Sequence, residues 1–204
     1  MLVILFCLSV IMALVASAWI DSLYRREREI LTFPEKTKAA AFRMPLLIAG
    51  VYGLAVYWTG AGWQFWELVR RLLLSWFLLM TMVTDLEQHL IFDRMQLPFA
   101  LLALPFMLWE GQAADCLLAA IAGGGGFLLL SLITKGSIGG GDIKLIFVLG
   151  LWLGTEAVFR IAMGGFILSG AVAMIMLLSK RWQRDERFAY SPYFSVMALC
   201  LLLN

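Results

Sequence analysis

The fold class this sequence predicts is an all-α polytopic membrane protein, a bundle of about eight transmembrane helices with six or seven as the alternatives. Three observations predict it. Hydrophobic residues make up 62% of the 204 and charged residues only 15%, where soluble domains carry roughly 25% charged residues. A soluble core of this size could not hide so much apolar surface, because a small domain leaves much of its chain facing water. Apolar runs near the length of about 20 residues needed to cross a bilayer recur along the whole chain, and mean hydropathy is +0.89. Finally, the basic residues gather in alternate connections between those runs.

The first run, 2–20, has no basic segment before it and no small-residue cleavage pattern after it, which favours a retained helix over a cleaved signal peptide. Further spans are predicted near 44–60, 66–84, 95–109, 115–134, 143–159, 161–179 and 188–203. The fourth and sixth are short; Pro105 is expected to kink the fourth, and the sixth contains Lys144 and Glu156. Gly150 and Gly154 are spaced G-x-x-x-G, Gly165 and Ser169 repeat the small-residue spacing, and Gly123 to Gly126 make a smooth patch on the fifth span. Such residues let helix backbones approach closely in lipid, so these positions read as helix-packing surfaces. The division expected is 1–60, an N-terminal helical hairpin with a short basic loop, and 61–204, a second membrane domain that holds the acidic motifs.

Orientation follows from lysine and arginine in the loops. Arg25, Arg26, Arg28, Lys36, Lys38 and Arg43 follow the first span, Arg94 precedes the fourth, Lys135 and Lys144 flank the start of the sixth, and Lys180, Arg181, Arg184 and Arg187 precede the last. With eight spans, 13 of the 16 basic residues fall on one side, leaving Arg70, Arg71 and Arg160 elsewhere. That side is expected to be cytoplasmic, with both termini outside. A net charge of +2 gives no electrostatic case for nucleic-acid binding. Cys7, Cys116 and Cys200 are far apart, form no C-x-x-C pair, and with the single His89 indicate neither a disulfide framework nor a metal site.

The acidic residues at the cytoplasmic edge carry the chemistry. The stretch TDLEQHLIFDRMQLP places Asp85, Glu87 and Asp93 between the third and fourth spans, and IGGGDIKL places Asp142 at the head of the sixth. Asp93 followed by Gln96 fits a helix N-cap with its capping-box partner; Glu87 reads as a solvated loop residue. Asp142 could cap the sixth helix after the glycine break, with Lys144 as an interfacial anchor. Asp85 is harder to explain structurally, since it ends an apolar run at a helix C-terminus, where the macrodipole disfavours negative charge. Ionisable groups at membrane depth are functional candidates. Residue chemistry alone leaves the Asp85–Asp142 pair evenly divided between a functional and a structural reading. Two close carboxyls share a proton and titrate as a coupled pair. One then takes a proton from water while the other polarises a peptide carbonyl, which is aspartic-type hydrolysis and needs no metal.

IGGGDIKLIFVLGLWLG resembles the G-x-G-D-x-K-L…G-x-x-L-G signature of the type IV prepilin peptidases, a family of GxGD membrane aspartyl proteases. TDLEQHLIFDRMQLP is similar to the family's D-x-x-x-x-x-L-P-D-x-L-T-L-P block, FAYSPYFSVMAL to its third block, and ASAWIDSLYRR to its first. By position the resemblance implies Asp85 and Asp142 as the catalytic aspartates. It implies Gly139, Gly141, Lys144, Asp93 and Pro192 as residues that shape the site or bind substrate. Phe92 stands where the family has proline and Ser191 where it has glycine. The loop after the first span lacks the paired C-x-x-C motifs of members that also N-methylate with S-adenosylmethionine, so methyl transfer does not follow and proteolysis itself needs no cofactor.

The resemblance further implies a prepilin or pseudopilin substrate with a short basic leader, met at the cytoplasmic face of the bacterial inner membrane, in pilus or type II secretion biogenesis. The expected partners are that substrate and membrane lipid. Breaks around 136–141 would let water and an unwound peptide reach Asp142. The other readings are a non-enzymatic membrane scaffold or transporter subunit, and a homologue that binds prepilin without cutting it. A transporter should show two repeated halves with interrupted spans, and no such repeat is present in this sequence.

Overall fold

The computed structural model describes residues 1–35, 39–136, 138–179 and 190–203. Its elements are α1 (Leu2–Arg26), a 3₁₀ turn (Arg28–Ile30), α2 (Arg43–Gly60), α3 (Phe65–Gln88), α4 (Asp93–Trp109), α5 (Ala113–Ile133), α6 (Gly140–Leu178) and α7 (Ser191–Leu202). The all-α class is therefore as the composition predicts, with seven helices among the described residues. Lys36, Lys38, Lys180, Arg181, Arg184 and Arg187, on which part of the orientation argument rests, lie outside the described residues.

The chain forms two compact units, one of Met1–Leu90 with Leu202–Asn204 and one of Ile91–Leu201. In the first, α1, α2 and α3 pack around Ile20, Leu47, Phe77 and Leu78, none of which reaches solvent. Trp58 Nε1 donates to the Leu202 carbonyl at 3.0 Å, and Arg71 donates to the same oxygen, which pins the end of the chain to α2 and α3. The outer face of α1 is a row of exposed Leu2, Val3, Ile4, Ile11 and Leu14. A continuous apolar face of that kind is at home in lipid and not in water.

In the second unit α4 is helical from end to end through Pro98 and Pro105. Each proline removes one backbone hydrogen bond, and the remaining turns hold the helix. A Schellman motif ends α5: the Lys135 N–H donates to Leu132 O and the Gly136 N–H to Ser131 O, with Lys135 left-handed at φ 53.

The predicted sixth and seventh spans run on as one element, which is why the helices number seven. At 39 residues α6 would measure about 58 Å if straight, nearly twice a hydrocarbon core of about 30 Å. It is not straight. Gly154 has φ 77 and ψ −178, a conformation essentially reserved for glycine, and the helix reverses there. Before it, Gly150 packs on Ala119 and Ala120 and Gly124 on Phe147, an antiparallel alignment with α5; after it, Phe166 stacks on Phe127 at 5.2 Å, a parallel one. Gly123 lies against both Ile146 and Val158, one from each leg. The expected boundary near residue 160 moves to Gly154, and the G-x-x-x-G pair divides: Gly150 is a packing residue, Gly154 a hinge. Asp115 of α5 fixes the reversal by accepting from the Thr155 N–H at 3.0 Å and the Thr155 hydroxyl at 2.7 Å.

Helices α1, α5 and α6 are long and apolar enough to cross a membrane. Helix α3 is long enough but carries Glu67, Arg70, Arg71, Asp85 and Glu87. With the exposed leucines and isoleucines on α1 and α5, the chain is a multi-pass membrane protein.

Candidate functional site

Asp85 lies in the last turn of α3 with only 5% of its surface exposed. Its carbonyl accepts the His89 N–H at 2.9 Å, and His89 closes the helix in the left-handed conformation, φ 52. A carboxyl here stands at the negative end of the helix dipole, as its place after the apolar run predicts.

Two residues further on, Glu87 corrects the expectation of a solvated loop residue. It is buried and accepts from Arg43 Nε at 2.8 Å, from Arg43 Nη2, from the Tyr24 hydroxyl at 2.8 Å and from the Ala40 N–H at 3.3 Å. Arg43, wholly buried, also donates to Asp21 and to Ser17. Buried charge is tolerable only when paired and hydrogen-bonded, and this cluster satisfies it with groups from α1, α2 and α3. The neighbouring Gln88 amide pairs with both backbone groups of Phe33, accepting from its N–H at 3.0 Å and donating to its carbonyl at 3.2 Å. The end of α3 that carries Asp85 is thus tied to three other segments of the first unit. Arg43 counted among the basic loop residues in the sequence; its partner 44 positions away is invisible without the fold.

In the second unit Gly139 is the N-cap of α6, with φ −66 and ψ 144. Gly140 and Gly141 belong to the first helical turn, and Asp142 is the third helical residue. The left-handed backbone lies earlier, at Lys135 and Gly136; of the break expected over 136–141, Ser137 is outside the described residues. Asp142 is 8% exposed, and its Oδ2 lies 3.2 Å from where a Cβ on Gly139 would stand. A Cβ on Gly141 would meet Ile91 Cβ at 3.1 Å.

The N-cap of α4 is Phe92 and not Asp93, and no side chain caps the helix. Asp93 forms an exposed ion pair with Lys144, Oδ2 to Nζ 2.6 Å. Gln96, expected to reach back as the capping-box partner, instead donates from Nε2 to the Gly141 carbonyl at 3.1 Å. Asp93, Lys144, Gly139, Gly141 and Asp142 are therefore gathered by the second unit, joined by Ile91 and Gln96, which the sequence did not mark out. Pro192 occupies the first turn of α7, where its missing N–H leaves nothing unsatisfied. The Tyr193 and Phe194 N–H groups bond to the Tyr190 carbonyl, and Phe194 packs on Phe127 and Phe166. Among the described residues no group of three or more His, Cys, Asp or Glu side chains could hold a metal ion.

The Type IV leader peptidase family matches this sequence over residues 72–178. The chain is 28% identical over 173 residues to the prepilin leader peptidase/N-methyltransferase of Aeromonas hydrophila, covering 79% of this chain and 58% of that protein. It is 32% identical over 165 residues to the protein of the same description from Neisseria gonorrhoeae, covering 76% and 56%. With that of Pseudomonas aeruginosa it shares 28% over 179 residues, 79% and 58%. The chain thus spans a little over half the length of these curated relatives. No solved structure matches it.

Proposed function

The chain belongs to the Type IV leader peptidase family, and from that premise we propose that it is a membrane aspartic endopeptidase. It cleaves the short basic leader from a prepilin or pseudopilin at the cytoplasmic face of the inner membrane. Asp85 and Asp142 form the dyad. One carboxylate takes a proton from water as the oxygen attacks the scissile carbonyl, while the other, protonated, hydrogen-bonds the carbonyl oxygen. Collapse of the tetrahedral intermediate breaks the C–N bond as the leaving amine is protonated. The chain's own residues suffice for this step, so no cofactor is assigned to it. The exposed Asp93–Lys144 pair spans the starts of α4 and α6, and Pro192 sets the start of α7.

The observation that carries the reading is Asp142. A buried carboxyl stands in the first turn of a long apolar helix, its Oδ2 3.2 Å from where a Cβ on the glycine N-cap would stand. A first-turn carboxylate suits the helix dipole, and what points beyond that role is its burial, together with the family's aspartate falling at this place. Candidate prepilins co-expressed with the full chain, followed by mass spectrometry of the mature N-terminus, test it. Asp85→Asn and Asp142→Asn should each abolish cleavage, while Asp93→Asn should keep most of it. Full cleavage by either dyad variant would sink the assignment. An inert wild-type chain that still retains bound prepilin would mark a non-cleaving homologue.

A further inference from the structure

We infer that Gln96 is a positioning residue that fixes the Asp142 end of α6 through the hydrogen bond from its amide to the Gly141 carbonyl. The consequence for catalysis rests on the peptidase reading; the geometry does not. Gln96 sits in the first turn of α4 and is 3% exposed. The carbonyl it holds, at 3.1 Å, belongs to the residue immediately before Asp142. Ile91 presses on the same residue, where any Cβ would stand 3.1 Å from Ile91 Cβ. The Asp93–Lys144 pair also joins the two helix starts, but both side chains are more than half exposed. Exposed pairs are weak and screened by salt, so the restraint falls to Gln96 and Ile91.

A second observation singles out Gln96. Its Oε1 is buried and accepts no hydrogen bond among the described residues. A buried polar atom without a partner destabilises the fold, and methionine, of nearly the same length and volume, would fill the space without that penalty. Packing therefore does not explain an amide here. What the amide supplies that methionine cannot is the N–H at Gly141. Small displacements of a catalytic group lower rates steeply without unfolding anything, so a donor that holds the preceding peptide plane has a defined use.

The test is Gln96→Met in the full chain in detergent or membranes, assayed for prepilin cleavage, thermal unfolding and amide hydrogen exchange. The expected result is an unfolding midpoint equal to or above wild type and an unchanged KM. It is joined by a kcat lower on the order of tenfold to a hundredfold and faster exchange confined to residues 139–143. Gln96→Leu should behave alike. Wild-type kcat with unchanged exchange overturns the inference. A lowered midpoint with KM and kcat both altered also overturns it, because it assigns Gln96 to folding in general. Asp142→Asn is run alongside: if that variant cleaves, the peptidase reading fails, while the exchange result still decides whether Gln96 holds α6.

Discussion

Replacing Gly139, Gly140 and Gly141 by alanine one at a time separates backbone freedom from close approach in the segment before Asp142. None of the three has positive φ, so the difference between them is what a Cβ would meet. At Gly140 it meets nothing within 4 Å. Alanine there restricts the unfolded chain and improves helix propensity, stabilising by about 0.4–1 kcal/mol, and cleavage should stay within about twofold of wild type. At Gly141 the same propensity gain is opposed by the 3.1 Å contact with Ile91 Cβ; overpacking of this kind costs about 1–3 kcal/mol. The cost is the larger, so stability should fall by up to about 2.5 kcal/mol, and relieving the contact moves the first turn of α6 by a few tenths of an ångström. At Gly139 the new Cβ stands 3.2 Å from Asp142 Oδ2, so the carboxylate must give by a few tenths of an ångström, and alanine is also a poorer N-cap, by about 0.5–1 kcal/mol. Cleavage by Gly139→Ala and Gly141→Ala should therefore fall on the order of tenfold to a hundredfold, with unfolding midpoints lowered but the chain still folded. Prepilin processing in membranes, with thermal unfolding of the same preparations, measures both. If Gly140→Ala loses as much activity as its neighbours, the crowding argument is wrong.

Two further substitutions probe each unit separately. Glu87→Gln leaves Arg43 buried with its remaining partner Asp21, and should destabilise the first unit by about 3–5 kcal/mol, read as a lowered denaturation midpoint; a change under about 1 kcal/mol, the range of an exposed pair, would show that the cluster is dispensable. Gly154→Ala places a Cβ 2.2 Å from Asp115 Oδ2 at a residue with φ 77, adding backbone strain of about 1–3 kcal/mol to the lost Asp115–Thr155 bonds. Its unfolding midpoint should fall well below that of Gly170→Ala, a replacement into open space in the same helix; equal midpoints would mean that the reversal is not held by Gly154.

The sequence made the helices legible because lipid leaves a blunt signature: spans start and stop where apolar runs do, and α1, α2, α4 and α5 lie close to their predicted places. Asp85 was legible for the same reason, as a carboxyl ending such a run. What was hidden had a local explanation that competed with the tertiary one. Gly150 and Gly154 share one spacing, and only a backbone angle distinguishes the packing glycine from the hinge. Gln96 stands three residues after Asp93, the capping-box spacing, and nothing local says that its amide is engaged by Gly141 of another helix. Glu87 sits among polar neighbours, so it reads as solvated until Arg43, Tyr24 and Ala40 are brought to it. For Gln96 and Glu87 the partner comes from a distant part of the chain, and periodicity carries no information about it.

The reversal at Gly154 also bears on how the second unit lies in the bilayer. A straight α6 would send Asp142 and Leu178 to opposite sides of the bilayer, and the basic residues before and after it would then point to opposite faces. With the helix folded back, the first leg leaves the end where α5 finishes at Ile133, and the second returns to it. Leu130 and Thr134 of the α5 end line one cavity with Ser169, Gly170 and Ala173 of the returning leg and Ile138 ahead of the first. Lys135 and Lys144 therefore belong to the same edge of the second unit as the exit from α6. The positive-inside pattern is counted with eight spans, and the two-leg geometry set by the Gly154 angle keeps that number of passes. Lys135 and Lys144 at the Asp142 edge are the described basic residues on which the proposed cytoplasmic placement rests.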